Sequence, residues 1–100
     1  MDKREAIEIA KKYSELLKEH FLVETVYLFG SYAKNTNHED SDIDVAIVVD
    51  KIEGDFFSTQ PLLWKLRRQI DDRIEPILFS KDSDSSGFLS EIKRTGIQIC

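Results

Sequence analysis

The chain has 100 residues, of which 41% are hydrophobic and 33% are charged, the composition of one small globular domain with a single core. Its formal net charge of −5 at pH 7 disfavours nucleic acid as a partner, because binding a phosphate backbone depends on clustered Lys and Arg. No apolar stretch approaches the roughly 20 residues of a membrane span, and because the N-terminal residues are charged throughout we do not expect them to act as a secretory signal. We expect a single domain over residues 1–100, cytoplasmic, with a lone Cys100 that suits a reducing compartment.

The first half of the chain predicts a helix followed by two strands. Residues 2–20 repeat apolar side chains at helical spacing, which indicates an amphipathic helix. The β-branched and aromatic run Val23–Phe29 predicts a strand that ends at the glycine after it. We expect Ser31 to cap a short helix, a polar loop to cover residues 35–40, and a second strand to span Asp42–Val49.

The second half predicts a helix, a strand at the edge of the sheet, and a shorter helix. Apolar residues recur at helical spacing from about position 55 to 72, and Pro61 is expected near the first position of the main helix, after a separate first turn. Ile74–Phe79 predicts a third strand, placed at an edge because Pro76 lacks the N–H that a central strand needs.

The remaining residues complete a small mixed fold. A loop over residues 80–87, a helix over Phe88–Arg94 and a short strand over Ile97–Cys100 are expected. The order of elements predicts an α/β (α+β) fold, in which helices flank a small mixed β-sheet.

Two acidic residues open the second predicted strand. Since side chains alternate along a strand, Asp42 and Asp44 face the same side. At about 5–6 Å apart, their repulsion is on the order of 3 kcal/mol for an effective dielectric near 20, so Mg²⁺, which prefers carboxylate oxygens, is a natural occupant of that space. The alternative is a pair of solvated acids at a strand start, with Asp42 bonded in a turn.

A glycine and a serine stand where the first predicted strand meets a helix. Backbone N–H groups near Gly30 and the Ser31 hydroxyl are suited to hold a phosphate, because glycine lets a ligand approach the chain closely. An ordinary turn with a serine cap is the alternative interpretation.

Taken together, Gly30-Ser31, ten intervening residues and Asp42-Ile43-Asp44, within LFGSYAKNTNHEDSDIDVAIVV, resemble a known signature. The pattern is similar to the minimal nucleotidyltransferases of the DNA polymerase β-like nucleotidyltransferase superfamily. That resemblance implies a nucleotidyltransferase fold like the polymerase β palm, and it extends over nearly the whole chain.

The resemblance also assigns further residues. A third carboxylate from a later strand falls on Glu75, where family members more often have Asp; an exposed edge-strand acid is the alternative. Lys34 keeps a basic residue for nucleotide binding, or is a surface residue, and Asn35 replaces a common Gly at a turn that asparagine tolerates.

The activity that this resemblance implies is Mg²⁺-dependent transfer of a nucleoside monophosphate, AMP from ATP, to a hydroxyl of a partner protein. Two Mg²⁺ ions would be held by Asp42, Asp44 and Glu75, with Gly30 and Ser31 on the triphosphate. The implied partner is a HEPN-type toxin, with this chain as its antitoxin. A small-molecule acceptor, as in antibiotic nucleotidyltransferases, and a non-catalytic partner-binding module remain alternatives. Acceptor, nucleotide preference, turnover and oligomeric state, including a homo-oligomer, stay open.

Other polar and aromatic residues carry no catalytic assignment. Arg67, Arg68 and Arg73 are interpreted as a charged surface, Trp64 as a packing residue and His38 as a solvated loop residue.

Overall fold

A computed structural model describes residues 1–38, 41–50, 56–81 and 86–100, and gives only the backbone for residues 56–58. It confirms the predicted α/β fold. The elements are, in chain order, α1 Lys3–Lys18, β1 Val23–Phe29, α2 Ser31–Lys34, β2 Ile43–Val49, α3 Phe56–Arg67, β3 Ile74–Ser80, α4 Phe88–Thr95 and β4 Ile97–Gln98.

The four strands form one mixed sheet in the order β3-β2-β1-β4. β1 is antiparallel to both β2 and β4, whereas β2 and β3 run parallel. The parallel pair is made possible by α3, which returns the chain to the end at which β2 began. β3 lies at the edge, as Pro76 predicts, and the mixed sheet is confirmed.

Helices α1 and α3 cover one face of the sheet, where most of the core lies. Their apolar side chains meet the alternate, inward-facing residues of the strands, among them Val26, Val45 and Ile74, all fully buried. The Tyr13 hydroxyl of α1 donates to the backbone oxygen of Leu63 in α3 at 2.8 Å. This buried hydrogen bond links the two helices to each other.

Helix α4 lies against the opposite face, beside β1. Leu89 and Ile92 are buried there, and the Phe88 ring meets the rings of Phe29 and Phe79 edge-on, at 5.7 and 5.8 Å between centroids. The odd-numbered residues at the end of β1 and the even-numbered residues of β2 point to this same face. It therefore also carries the predicted acids.

Two local predictions were wrong. Ser31 is the first residue of α2 and not its cap; Gly30 is the cap residue and makes no side-chain hydrogen bond. Pro61 lies inside α3, which begins at Phe56 as one helix. A proline there removes one i→i−4 bond, but Leu63 and Leu66 are buried in the core, and this packing offsets the loss.

Several predicted loops fall partly outside the described residues, at positions 39–40, 51–55 and 82–85. Within the part of the chain that is described, no helix has the length and apolarity to cross a bilayer.

Candidate active site

Three carboxylates converge at one end of the sheet. Asp42 directly precedes β2, Asp44 is the second residue of that strand, and Glu75 lies beside Asp44 in the parallel neighbour β3. Paired residues of neighbouring strands point to the same face, so Asp44 and Glu75 are adjacent side chains. Glu75 is close enough to both aspartates for their negative charges to interact. The structure therefore brings together the three acids that the sequence predicted.

Asp44 and Glu75 have raised pKa values. Burial, followed by the negative charges of Glu75 and Asp42, raises the pKa of Asp44 to about 6. Burial, followed by the charge and hydrogen bond of Asp42, also raises the pKa of Glu75, against a lowering by the Asp44 hydrogen bond and the Arg67 charge. The cluster concentrates more negative charge than its protein surroundings neutralise.

Gly30 forms one wall of the cluster. Its backbone has φ 73 and ψ −147, a conformation that is essentially restricted to glycine. A Cβ atom at this position would lie 2.2 Å from Oδ2 of Asp44. The absence of a side chain thus leaves room for the Asp44 carboxylate, and it exposes the backbone of the turn beside the acids.

The other predicted nucleotide-binding residues lie in the helix that follows. Ser31 begins α2 next to this turn, and Lys34 ends it with an exposed side chain. Asn35 closes the helix in the left-handed conformation, with φ 59 and ψ 30, as the sequence predicted, and its side-chain oxygen accepts from Nζ of Lys3 at 3.2 Å. Gly30 is thus placed against Asp44 and Ser31 follows it in the chain, whereas no described contact joins Ser31 or Lys34 to the acids.

The donor chemistry fits a hard divalent cation, although the side chains are not arranged as ligands. Among the described residues, no group of three or more His, Cys, Asp and Glu side chains is positioned to hold a metal ion. Instead, the three carboxyl groups lie close enough for their negative charges to act on one another. A cation coordinated by these oxygens would relieve that repulsion.

Arg67 and Arg73 form hydrogen bonds, whereas Trp64 is partly exposed. Arg73 forks onto the Asp71 carboxylate at 2.7–2.9 Å, and Arg67 donates to the backbone carbonyls of Asp72 and Ile74. Trp64 was predicted to pack, but the residue is 38% exposed, and its ring contacts the Arg67 guanidinium, which lies 4.5 Å from the ring centroid.

Two residues near the acids were missed. Tyr32 is fully buried next to the Gly30-Ser31 turn, and the charges of Arg73, Glu5 and Asp42 all act on its hydroxyl. Ser41, also buried, accepts from the backbone N–H of His38 at 2.9 Å and so shapes the turn before Asp42. An aromatic residue directly after Gly-Ser was a signal for the first of these, since α2 must bury one side chain to dock.

A cavity of about 540 Å³ lies at the other end of the sheet. Its walls include Phe21, Leu22 and Val23 at the start of β1, with Asp50 and Lys81 after β2 and β3. The carboxylates stand at the opposite strand ends, so this cavity does not serve them.

A four-stranded mixed sheet, with a Gly-Ser turn facing carboxylates on two parallel strands, is the architecture of a nucleotidyltransferase. The chain belongs to the family described as Polymerase beta, Nucleotidyltransferase, whose model matches residues 11–100. The expected family and fold are confirmed.

Two relatives from Methanocaldococcus jannaschii carry the name "putative protein adenylyltransferase". One is 32% identical over 102 residues, which cover 95% of this chain and 99% of the relative. Another is 39% identical over 51 residues, which cover 51% of each protein. The chain thus spans nearly all of one relative and about half of the other.

Solved structures share this fold. A toxin–antitoxin complex with AMP-PNP superposes with a TM-score of 0.70 and 26% identity, covering 90% of this chain and 72% of that one. A mutant of the toxin–antitoxin MntA-HpeT gives a TM-score of 0.69 and 25% identity, covering 91% and 72% respectively.

Proposed function

We propose that residues 1–100 act as an Mg²⁺-dependent nucleotidyltransferase that transfers AMP from ATP to a hydroxyl group of a partner protein, as the antitoxin of a HEPN-type toxin–antitoxin pair. The family establishes nucleotidyl transfer. The metal, the nucleotide, the protein acceptor, the partner and the cytoplasmic location are the parts that we propose.

One observation carries the chemical assignment: Asp42, Asp44 and Glu75 meet on two adjacent strands beside Gly30. The raised pKa values of Asp44 and Glu75 mean that their clustering costs the free protein stability, which favours a functional role for the cluster. Carboxylate oxygens bind Mg²⁺, which is also the usual partner of a nucleoside triphosphate.

Each residue of the site has a separate role in the proposed reaction. The acceptor oxygen attacks the α-phosphorus, a new O–P bond forms, the bond to the bridging oxygen breaks, and pyrophosphate leaves. Asp42, Asp44 and Glu75 would hold Mg²⁺, which supplies neutralisation of the phosphate charge. Glu75 accepts the proton of the acceptor hydroxyl. Backbone N–H groups near Gly30 and the Ser31 hydroxyl hold the β- and γ-phosphates, with Lys34 available to the triphosphate from the end of α2.

Two comparisons support the choice of nucleotide and acceptor. Relatives that align with this chain are named for protein adenylyl transfer, and a structural neighbour is a toxin–antitoxin complex with AMP-PNP. The net charge of −5 also favours a protein over a nucleic acid as the acceptor.

The direct test is mass spectrometry of the neighbouring gene's product after incubation with this protein, ATP and Mg²⁺. We expect a gain of one AMP, lost with Asp42→Asn and with Asp44→Asn. Asp50→Asn is the matched control, because Asp50 is an exposed aspartate at the opposite end of β2. Transfer that persists in both site variants, or that Asp50→Asn abolishes, contradicts the assignment.

A second measurement distinguishes an enzyme that uses a nucleotide from a module that only binds a partner protein. AMP-PNP with Mg²⁺ at a hundred times its Kd should stabilise the protein by about 2.7 kcal/mol, a rise in Tm on the order of 10 °C for a domain of this size. No shift with the nucleotide favours a non-catalytic partner-binding module. A shift with AMP transfer only to a small hydroxylated molecule favours the antibiotic-type reaction.

A further inference from the structure

The backbone carbonyls of the two residues that flank Glu75 point away from the neighbouring strand β2. At the two ends of β3, the carbonyl of Arg73 accepts from Ile43 at 2.9 Å and the N–H of Lys81 donates to Val49 at 2.8 Å, so the odd-numbered residues of β3 pair with β2. Backbone groups alternate in direction along a strand. The carbonyls of Ile74 and Pro76, which flank Glu75, therefore point out from the free edge.

Both of these edge carbonyls accept hydrogen bonds from side chains of α3. Nη1 of Arg67 donates to the Ile74 oxygen at 3.1 Å, and Nε2 of Gln60 donates to the Pro76 oxygen at 3.2 Å. The two donors are seven residues apart, which is two helical turns, so they lie on one side of α3. We call this pair of contacts the edge clasp.

The edge clasp is built from constrained side chains. The Arg67 guanidinium also donates to the Asp72 carbonyl and lies over the Trp64 ring at 4.5 Å. Oε1 of Gln60 and Nε of Arg67 are buried, and neither has a hydrogen-bond partner within the described part of the chain. A buried polar atom without a partner is costly, so these residues are poor choices for stability alone.

Other features of the fold do not explain the edge clasp. Pro76 has no N–H, so β3 already lacks one of the donors with which a free edge recruits another strand. A residue that only covered the edge would not need to bond both carbonyls next to Glu75. The contacts are centred on one residue of the strand, and that residue is the third carboxylate of the site.

We propose that Gln60 and Arg67 are positioning residues for Glu75, fixing the backbone on both sides of it so that its carboxylate meets Asp42 and Asp44. The proposal rests on the function assigned to Glu75 above. Its physical basis is that catalysis is sensitive to small displacements, where about 1 Å can cost 10²-fold in rate.

The test compares removal of each donor with a matched control in the same segment. Gln60→Met keeps the side-chain length and removes the hydrogen bond. Arg67→Met keeps the apolar stem and removes the guanidinium with its charge and hydrogen bonds. Gln69→Met and Arg68→Met make the same changes at exposed positions. We expect kcat for AMP transfer to fall about 10-fold or more in the clasp variants. The KM for ATP should stay within about twofold, because Gly30 and Ser31 hold the triphosphate. Both controls should behave as wild type.

Two further readouts distinguish positioning from general destabilisation. In a Glu75→Gln background, Gln60→Met and Arg67→Met should no longer change kcat, because the group through which they act is gone. Amide hydrogen exchange should accelerate at Glu75 and Ile77 and remain unchanged at Val26, in the centre of the sheet. Arg67→Lys, which keeps the charge but has no fork, should fall between wild type and Arg67→Met, and serves if the methionine variant does not fold.

The outcomes separate this inference from the proposed function. If wild type transfers no AMP, the function fails, and exchange at Glu75 still decides whether the clasp fixes this segment. If wild type is active but the clasp variants match their controls in kcat and exchange, the inference is overturned. The inference is also overturned if Gln60→Met and Arg67→Met lower kcat equally in the wild-type and Glu75→Gln backgrounds.

Discussion

A methyl group at Gly30 would lie 2.2 Å from Oδ2 and 3.1 Å from Cγ of Asp44, so the turn after β1 and the carboxylate of β2 occupy complementary space. Phe29, the residue before Gly30, is the register partner of Asp44, which fixes this approach through the antiparallel pair. The spacing between the Gly-Ser and Asp-x-Asp parts of the sequence pattern thus has a steric meaning: the two parts are in contact.

Replacing Gly30 with alanine should damage the site more than a glycine substitution does elsewhere. The added Cβ meets the Asp44 carboxylate, and alanine is strained at φ 73 and ψ −147, which costs about 1–3 kcal/mol before the clash is counted. We expect Gly30→Ala to lose at least 2 kcal/mol of stability, on the order of these terms combined, and to lose Mg²⁺-nucleotide binding. Urea denaturation and a thermal shift with AMP-PNP measure the two effects.

Gly87→Ala is the control for backbone strain. Gly87 also has positive φ, at 75, but a Cβ there meets no described atom within 4 Å. We expect about 1 kcal/mol of destabilisation and normal nucleotide binding. Equal effects of the two substitutions would show that the contact with Asp44 has no influence on the site.

The contribution of Asp44 to the stability of the metal-free protein should fall as pH rises from about 4 to 6. The pKa of Asp44 rises from 3.8 unfolded to about 6 folded, so the folded state binds more protons in this range and loses stability as the proton leaves. Asp44→Asn should match wild type at pH 3.5 and exceed it at pH 7 by about 1–2 kcal/mol, a value reduced for partial solvent exposure. Urea denaturation in EDTA at both pH values tests this.

Glu75→Gln should also be more stable than wild type at pH 7 in EDTA, since burial and the Asp42 charge raise the pKa of Glu75 as well. Asp50→Asn, at an exposed position outside the cluster, is the control and should show no gain at pH 7. A wild-type protein more stable than Asp44→Asn at pH 7 in EDTA would mean that the cluster is neutralised within the protein.

The parts of the site that are local in the chain could be predicted. Asp42 and Asp44 share a face because strands have period two, and Gly30 marks a turn that only glycine adopts. Glu75 came from the resemblance, since nothing in its neighbours shows which strand pairs with β2. The helix run through Pro61 was missed, because burial of residues distant in the chain offsets a local hydrogen-bond loss.

The edge clasp could not be predicted, although a signal existed. The charged residues after Leu66 looked like a solvated helix face, yet Arg67 donates to the carbonyl of Ile74. Side chain-to-backbone bonds between a helix and a strand depend on how the two pack, which sequence spacing does not report. An edge strand with a proline, preceded by Gln60 and Arg67 at a seven-residue interval, would have been the indication.

The turn before β3 should depend on Asp71. Its carboxylate accepts from the backbone N–H and the guanidinium of Arg73, and the Arg73 carbonyl accepts from Ile43 at the start of β2. These bonds lower the pKa of Asp71, so their stabilisation is present above 3.8 and is lost as pH falls through the folded-state pKa. We expect Asp71→Ala to unfold at lower urea than wild type at pH 7.

The neighbouring Asp72 provides the control. It is exposed, and only its backbone carbonyl takes part in a described hydrogen bond, from Arg67. Asp72→Ala should keep the wild-type urea midpoint at pH 7. The difference between the two variants should shrink below pH 3.8; a difference that persists unchanged there would show that packing, and not the carboxylate charge, gives Asp71 its effect.

Loss of the hydroxyl should lower the stability of the protein at Tyr13 but not at Tyr32, the other buried tyrosine. The Tyr13 hydroxyl donates to Leu63 at 2.8 Å, so Tyr13→Phe should cost about 1 kcal/mol. The Tyr32 hydroxyl is buried and has no partner among the described residues, so Tyr32→Phe should be neutral or stabilise by up to about 1 kcal/mol. Both changes remove one oxygen from a fully buried ring, and urea denaturation at pH 7 compares them directly. A loss in Tyr32→Phe equal to that in Tyr13→Phe would mean that the Tyr32 hydroxyl is hydrogen-bonded, for instance to an ordered water between it and Asp42.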